Sequence, residues 1–248
     1  KFYDIKCRKS GLQPALTILV ATTQGLKMHG GVPVEAIKEP NIEGLKEGVK
    51  NLDRHIKNLQ GFGQTVVVCF NRYAADTDEE IEFCRQHCAE MGIGFAVNNA
   101  FNEGGAGAEE LANLVVNTIE ETPSQPLVYA YSDEQSIEEK AQEVVRKVYG
   151  GKGATFTPAA KKMLQKIEEL GLNHYPICIA KTQYSFSADQ KAYGVPEGFS
   201  IAIRDVVINQ GSEFIVLIAG EILRMPGLPK VPQAEKIDIV NGEIEGLS

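Results

Sequence analysis

The chain has 248 residues, enough for one large domain or two modest ones with a sizeable apolar core. Its 25 basic and 33 acidic residues leave a net charge of -8 with no basic run, which argues against a nucleic-acid partner because neutralising phosphates needs clustered Lys and Arg. No apolar stretch reaches the length of a membrane-spanning helix and no signal peptide opens the chain, so no membrane partner is expected. The five cysteines (Cys7, Cys69, Cys84, Cys88, Cys178) are odd in number and mostly in apolar surroundings, as for reduced thiols of a cytoplasmic protein. The opening "KFYDIKCR" starts at Lys1 as though from the middle of a longer polypeptide.

In chain order, the β-branched run "ALTILVAT" (15–22) predicts a buried strand, and "HGGVP" a loop. After Asn41, apolar residues at Ile42, Leu45, Val49, Leu52, Ile56 and Leu59 are spaced for one face of a core-facing helix. "TVVVCF" (65–70) predicts a second buried strand, then a helix whose first turn Asp76 caps with Glu79 reaching back. Ile81, Cys84, Cys88 and Met91 share a face of that helix. "IGFAV" (93–97) predicts a third strand and "LVYAY" (127–131) a fourth. "SIEEKAQEVVRKVYG" (136–150) predicts a helix with Ile137, Ala141, Val144, Val145 and Val148 inward. Strands alternating with helices in this way imply an α/β fold: a mainly parallel, Rossmann-like sheet flanked by helices. The pattern changes at the glycine-rich joint "GGKGATFTP" (150–158). A helix at 158–170, the strands "PICIAK", "SIAIRDVVI" and "EFIVLIAG", the proline-rich "MPGLPKVP" and a hairpin turning at Asn241-Gly242 follow. Residues 1–150 therefore form an α/β domain and residues 151–248 a smaller α+β domain.

The segment "FNEGGAGAEELANLVV" (101–116) runs through glycines into a helix, as a phosphate cradle does. It lacks the lysine and hydroxyl of such a cradle, and Glu103, Glu109 and Glu110 would repel phosphate. Its position suggests another use. In a parallel sheet, ligands gather beyond the C-terminal strand ends. Tyr73 follows the second strand and Phe101 the third. Two rings held there could bracket a flat heterocycle, with Gly104 and Gly105 keeping the loop low, or could simply cover the sheet edge.

Other groupings carry less. Cys84, His87 and Cys88 have helical spacing, but no second cluster supplies further ligands, so no metal site is expected. His29 sits in "KMHGGVP", a glycine loop just after a strand, with Lys27 beside it; the two could act on a ligand there or lie at the surface. Arg204 and Asp205 read as structural, and no catalytic triad follows from the spacing.

The segments "KFYDIKCRKSGLQP", "LKMHGG", "NRYAADTDEEI", "NEGGAGAEELA", "YPICIAKTQYSFSAD", "GFSIAIRDVVINQGSEFIVLIAGEILRMPGLPKVP" and "GEIEGL" together resemble the C-terminal half of formate–tetrahydrofolate ligase, over nearly the whole chain and in order. The resemblance implies a reaction in which formate attacks the terminal phosphate of MgATP and the resulting formyl phosphate passes its formyl group to N10 of tetrahydrofolate. It implies that the Walker-type loop and most of the formyl phosphate contacts lie in an N-terminal half absent here, so that this piece has no catalytic residue of its own and is inactive alone. It implies a ring-binding slot formed by Tyr73 and Phe101, with Ala74 and Val97 as apolar walls and Arg72, Gly104 and Gly105 around it. The slot would take the pterin, although adenine is also flat. Two residues depart from the family pattern: Ala74 stands where proline is common and Phe101 where tryptophan is usual. A homotetramer and activation by a monovalent cation are also implied.

A different reading is a non-catalytic α/β module that holds a nucleotide or a partner subunit. A Rossmann-type oxidoreductase is set aside because no GxGxxG follows a strand.

Overall fold

The side chains of five consecutive residues, Val66 to Phe70, offer water little to bond, and the chain buries all five in the central strand of a parallel sheet. The computed structural model describes residues 1–220, 231–240 and 243–245. The sheet has the order β1-β2-β3, with β1 Thr17–Ala21, β2 Val66–Asn71 and β3 Gly94–Asn98. Phe70 stands opposite Ala21 on one side and Val97 on the other, and Asn71 opposite Asn98. Among the described residues there are three further sheets, one mixed with three strands and two with two strands, so the α/β class holds.

The first strand departs from expectation. Leu19 and Ala21 join the core, but Ile18 is 45% and Val20 55% exposed. This is an edge strand with one face packed, and a continuous apolar run does not reveal that one of its faces lacks cover.

The short α1 (Arg8–Ser10) precedes β1, and α2 (Thr23–His29) and α3 (Ile42–Gly61) lie in the crossover between β1 and β2. Lys27 and His29 therefore lie on a helix, not in a loop. Asn41 Oδ1 caps α3 by accepting from the Gly44 N–H at 2.8 Å, and Leu45, Val49, Leu52 and Ile56 are buried as their spacing predicts. The helices α2 and α3 meet backbone to backbone. A Cβ on Gly48 would sit 1.9 Å from the Leu26 carbonyl oxygen, so only glycine permits the crossing.

Before α4 (Asp78–Glu90) the cap is Thr77, not Asp76. Thr77 Oγ1 accepts from the Glu80 N–H at 3.3 Å, and Glu80 reaches back to Thr77. Two adjacent side chains could each have capped this turn, and Asp76 is drawn off by other partners described below. Beyond β3 lie the one-turn α5 (Ala100–Glu103) and then α6 (Glu109–Glu121), which packs on β3.

Residues 127–131 form no strand, and the chain bends at Ala130 and Tyr131. Their polar groups are met elsewhere: Leu127 N–H by Gln13 at 3.0 Å, Val128 N–H by the Phe62 carbonyl at 3.1 Å, and Ala130 N–H by Asp4 at 2.9 Å. Arg8 donates to the Tyr131 carbonyl at 2.7 Å. A ladder partner is unnecessary once side chains satisfy the backbone.

Helix α7 (Ile137–Val144) buries Ile137 and Ala141, and its continuation buries Val145, all in a second core with α8 (Pro158–Glu169). The expected joint also contains a strand, β4 (Gly153–Phe156), parallel to β6 (Ser200–Ile203). Run 200–208 splits at Arg204 into β6 and β7 (Asp205–Asn209), which belong to different sheets. β7 pairs antiparallel with β8 (Phe214–Ile218), and β8 parallel with β5 (Ile177–Ala180). β9 (Asp238–Val240) and β10 (Glu243–Glu245) are antiparallel. The Asn241-Gly242 turn and the "MPGLP" stretch lie outside the described residues.

Candidate functional site

Asn71 and Asn98 end β2 and β3 side by side, and the chain leaves each strand in a different turn. After β2, the Arg72 N–H donates to the Asn98 carbonyl at 3.1 Å and extends the ladder by one bond. Asp76 then clips the following turn. Its Oδ2 accepts from the Tyr73 N–H at 2.8 Å, and its own N–H donates to the Tyr73 carbonyl at 3.0 Å. Its other oxygen accepts from the Thr23 hydroxyl, and both Asp76 and Thr23 are buried. The turn is thereby tied to the start of α2, while the Tyr73 ring stays 48% exposed.

After β3, Asn99 organises the turn. Its N–H donates to the Gly107 carbonyl at 2.9 Å, and its carbonyl accepts from Asn102 and Glu103. Its side chain bonds the Glu103 carboxylate and the Asn102 amide, each at 2.7 Å. This winds α5 and presents Phe101, which is 83% exposed. The glycines serve the backbone: a Cβ on Gly107 would lie 2.6 Å from the Asn99 carbonyl, and Gly104 has φ +59°. Glu110 is equally structural, accepting from the Val97 N–H at 3.2 Å and from Arg85 at 2.9 Å. An acid at this helix start thus pins the end of β3 where a phosphate cradle would hold a cation.

Tyr73, Ala74, Arg72 and Phe101 line one cavity of about 400 Å³ together with Asn71, Asn98 and Asn102. Arg72 also pairs with Asp78 at 2.9 Å. Val97 does not line this cavity; it packs against the first core. Gly104 and Gly105 do not line it either. The three asparagines were not singled out from the sequence, although "FNR" and "VNNAFN" place them at the strand ends where ligands gather.

Lys27 is buried, 2.9 Å from Glu80, and donates to the Glu39 carbonyl at 2.8 Å. His29 lines a different cavity of about 410 Å³, between α3 and the segment around Lys181. Its Nδ1 accepts from the Gly194 N–H at 3.1 Å, and burial lowers its pKa. The Lys181 ammonium in that cavity is engaged by the Thr182 and Ser185 carbonyls. Cys84 and Cys88 face the core, where burial pushes their thiols up to about 12 and about 11, and His87 turns to Asp53 at 2.7 Å. These thiols stay protonated at neutral pH and are poor ligands. Among the described residues no three or more metal-ligating side chains cluster, and no helix is long and apolar enough to cross a membrane.

The cavity thus brings two exposed rings and three carboxamides together at neighbouring strand ends. The family profile of formate–tetrahydrofolate ligase matches residues 1–248. The chain is 61% identical to the formate–tetrahydrofolate ligase of Bacteroides fragilis, 62% to that of Bacteroides thetaiotaomicron and 54% to that of Porphyromonas gingivalis. Each match covers 100% of this chain and 45% of the relative. The chain spans a little under half the length of these relatives, and it belongs to the formate–tetrahydrofolate ligase family.

Proposed function

We propose that this chain is the C-terminal portion of a ligase that joins formate to tetrahydrofolate at the expense of ATP, and that its contribution is to hold the pterin ring between Tyr73 and Phe101. The observation that carries this reading is the pair of exposed rings lining one cavity at neighbouring strand ends, in a chain of this family. Formate is a poor acyl donor because its leaving group would be oxide; phosphorylation by ATP replaces that group with phosphate, and the folate amine N10 then attacks formyl phosphate. Positioned cations must steady the transferring phosphoryl group. The loop entering α6 fits that task poorly, since Glu110 occupies its first turn and no lysine follows the glycines. We therefore assign ATP, Mg and formyl phosphate to the remaining part of the polypeptide, and the pterin to this one.

The test is Phe101→Ala in the full-length polypeptide. Losing one stacking surface worth about 1–3 kcal/mol should raise the Michaelis constant for tetrahydrofolate roughly 5- to 150-fold, with that for formate little changed. An unaltered folate constant would count against the slot. A shift confined to ATP would identify the bound ring as adenine.

A further inference from the structure

The floor of the slot carries an amide whose orientation is settled by a one-way donor. The Ala100 backbone N–H can only donate, and it donates to Asn98 Oδ1 at 3.2 Å. The oxygen of Asn98 is therefore turned toward Ala100 and its nitrogen toward Asn71, where Nδ2 donates to Asn71 Oδ1 at 2.8 Å. The Cys69 thiol donates to the same Oδ1 at 3.6 Å. With its oxygen doubly engaged, Asn71 cannot flip without setting N–H against N–H. Its Nδ2 has no hydrogen-bond partner among the described residues and is not among their buried unpaired polar atoms. Asn71 lines the cavity with Tyr73 and Phe101.

We propose that Asn71 determines specificity, its carboxamide nitrogen selecting a ring with a carbonyl on the edge it meets and rejecting one with an amino group there. This rests on the reading of the slot as a pterin site. A 2-amino-4-oxopterin has such a carbonyl. Adenine and 4-amino pterins carry an amino group instead, which would set donor against donor. A donor that the bound ring covers and sets against another donor loses its bond to water and gains no substitute, the mismatch by which polar sites discriminate most strongly.

The test uses the full-length polypeptide and two ligands, tetrahydrofolate and its 4-amino-4-deoxy counterpart, with both dissociation constants measured by calorimetry. The unaltered protein should prefer the oxo ligand by about tenfold or more. Asn71→Asp keeps an oxygen for Asn98 but replaces the free donor by an acceptor, so the preference should invert. Asn98→Ala removes the clamp, lets the Asn71 amide turn, and should bring the ratio toward one. A ratio unchanged in Asn71→Asp overturns the proposal; if that variant fails to fold, an unchanged ratio in Asn98→Ala does so. Tyr73→Ala and Phe101→Ala separate the two levels. Should they leave tetrahydrofolate affinity intact, the slot reading itself fails, and the assignment of Asn71 with it. If they weaken both ligands while Asn71→Asp leaves their ratio alone, only the role of Asn71 fails.

Discussion

Glu80 has no solvent-accessible surface, yet it holds three segments together. Its carboxylate accepts from Lys27 at 2.9 Å, from the Asn41 N–H at 2.8 Å and from the Thr77 hydroxyl at 3.2 Å. Burial alone would raise its pKa. The Asn41 amide, the Lys27 ammonium and the Thr77 amide more than offset that, and the carboxyl titrates below its usual range. A carboxyl whose folded pKa is depressed stabilises the fold above its unfolded value of about 4.3, and the gain is lost as pH falls through the folded value. Glu80→Gln should therefore lower stability at pH 7 and flatten its decline below about pH 4, measured by urea unfolding across pH. Lys27→Met, which leaves the buried carboxylate without its cation, should cost about 3–5 kcal/mol in the same assay. Nothing in the spacing of Lys27 and Glu80 signals their pairing, because they meet only once α2 and α4 have both packed with α3. The exposed rings of Tyr73 and Phe101 were legible, since each follows a strand by a few residues; the buried clip of Thr23 and Asp76 beneath one of them was not.

At the scale of elements, periodicity located α3, α4 and α8, and composition located β2, because one buried face or two buried faces leave distinct patterns. It missed β4 and mistook residues 127–131 for a strand, because an apolar segment satisfied by Gln13 and Asp4 has the same composition as one satisfied by a neighbouring strand. Close helix contact is equally silent in the pattern. Gly48→Ala must push α3 off α2, since the added methyl would overlap the Leu26 carbonyl, and should destabilise by about 3 kcal/mol as a fall in melting temperature. In the loop before α6 the two outcomes should separate by position. Gly107→Ala would press on the Asn99 backbone and displace the turn that carries Phe101, weakening tetrahydrofolate binding severalfold. Gly105→Ala meets nothing within 4 Å and should leave binding unchanged. Calorimetric titration of both variants checks this.

For the whole molecule, the apolar residues fall into two cores, one around β1–β3 and one that gathers α7, α8 and the later sheets. The chain spans 45% of the length of its relatives. The isolated 248 residues are accordingly expected to bind tetrahydrofolate without turning it over; an assay with ATP, formate and tetrahydrofolate beside a binding titration checks both halves of that expectation, and turnover would refute it. Sequence by itself established the α/β class, the principal helices, the lack of a phosphate-cradling lysine in the glycine loop and the family, since all of these reside in local composition and spacing. Only the tertiary structure decided that Tyr73, Phe101 and three asparagines face one cavity, that Gly104, Gly105 and Val97 stand outside it, and that Lys27 is a buried ion-pair partner. Those facts depend on which side chains compete for the same hydrogen-bond partners once strands and helices are brought together, and that competition involves residues far apart along the chain.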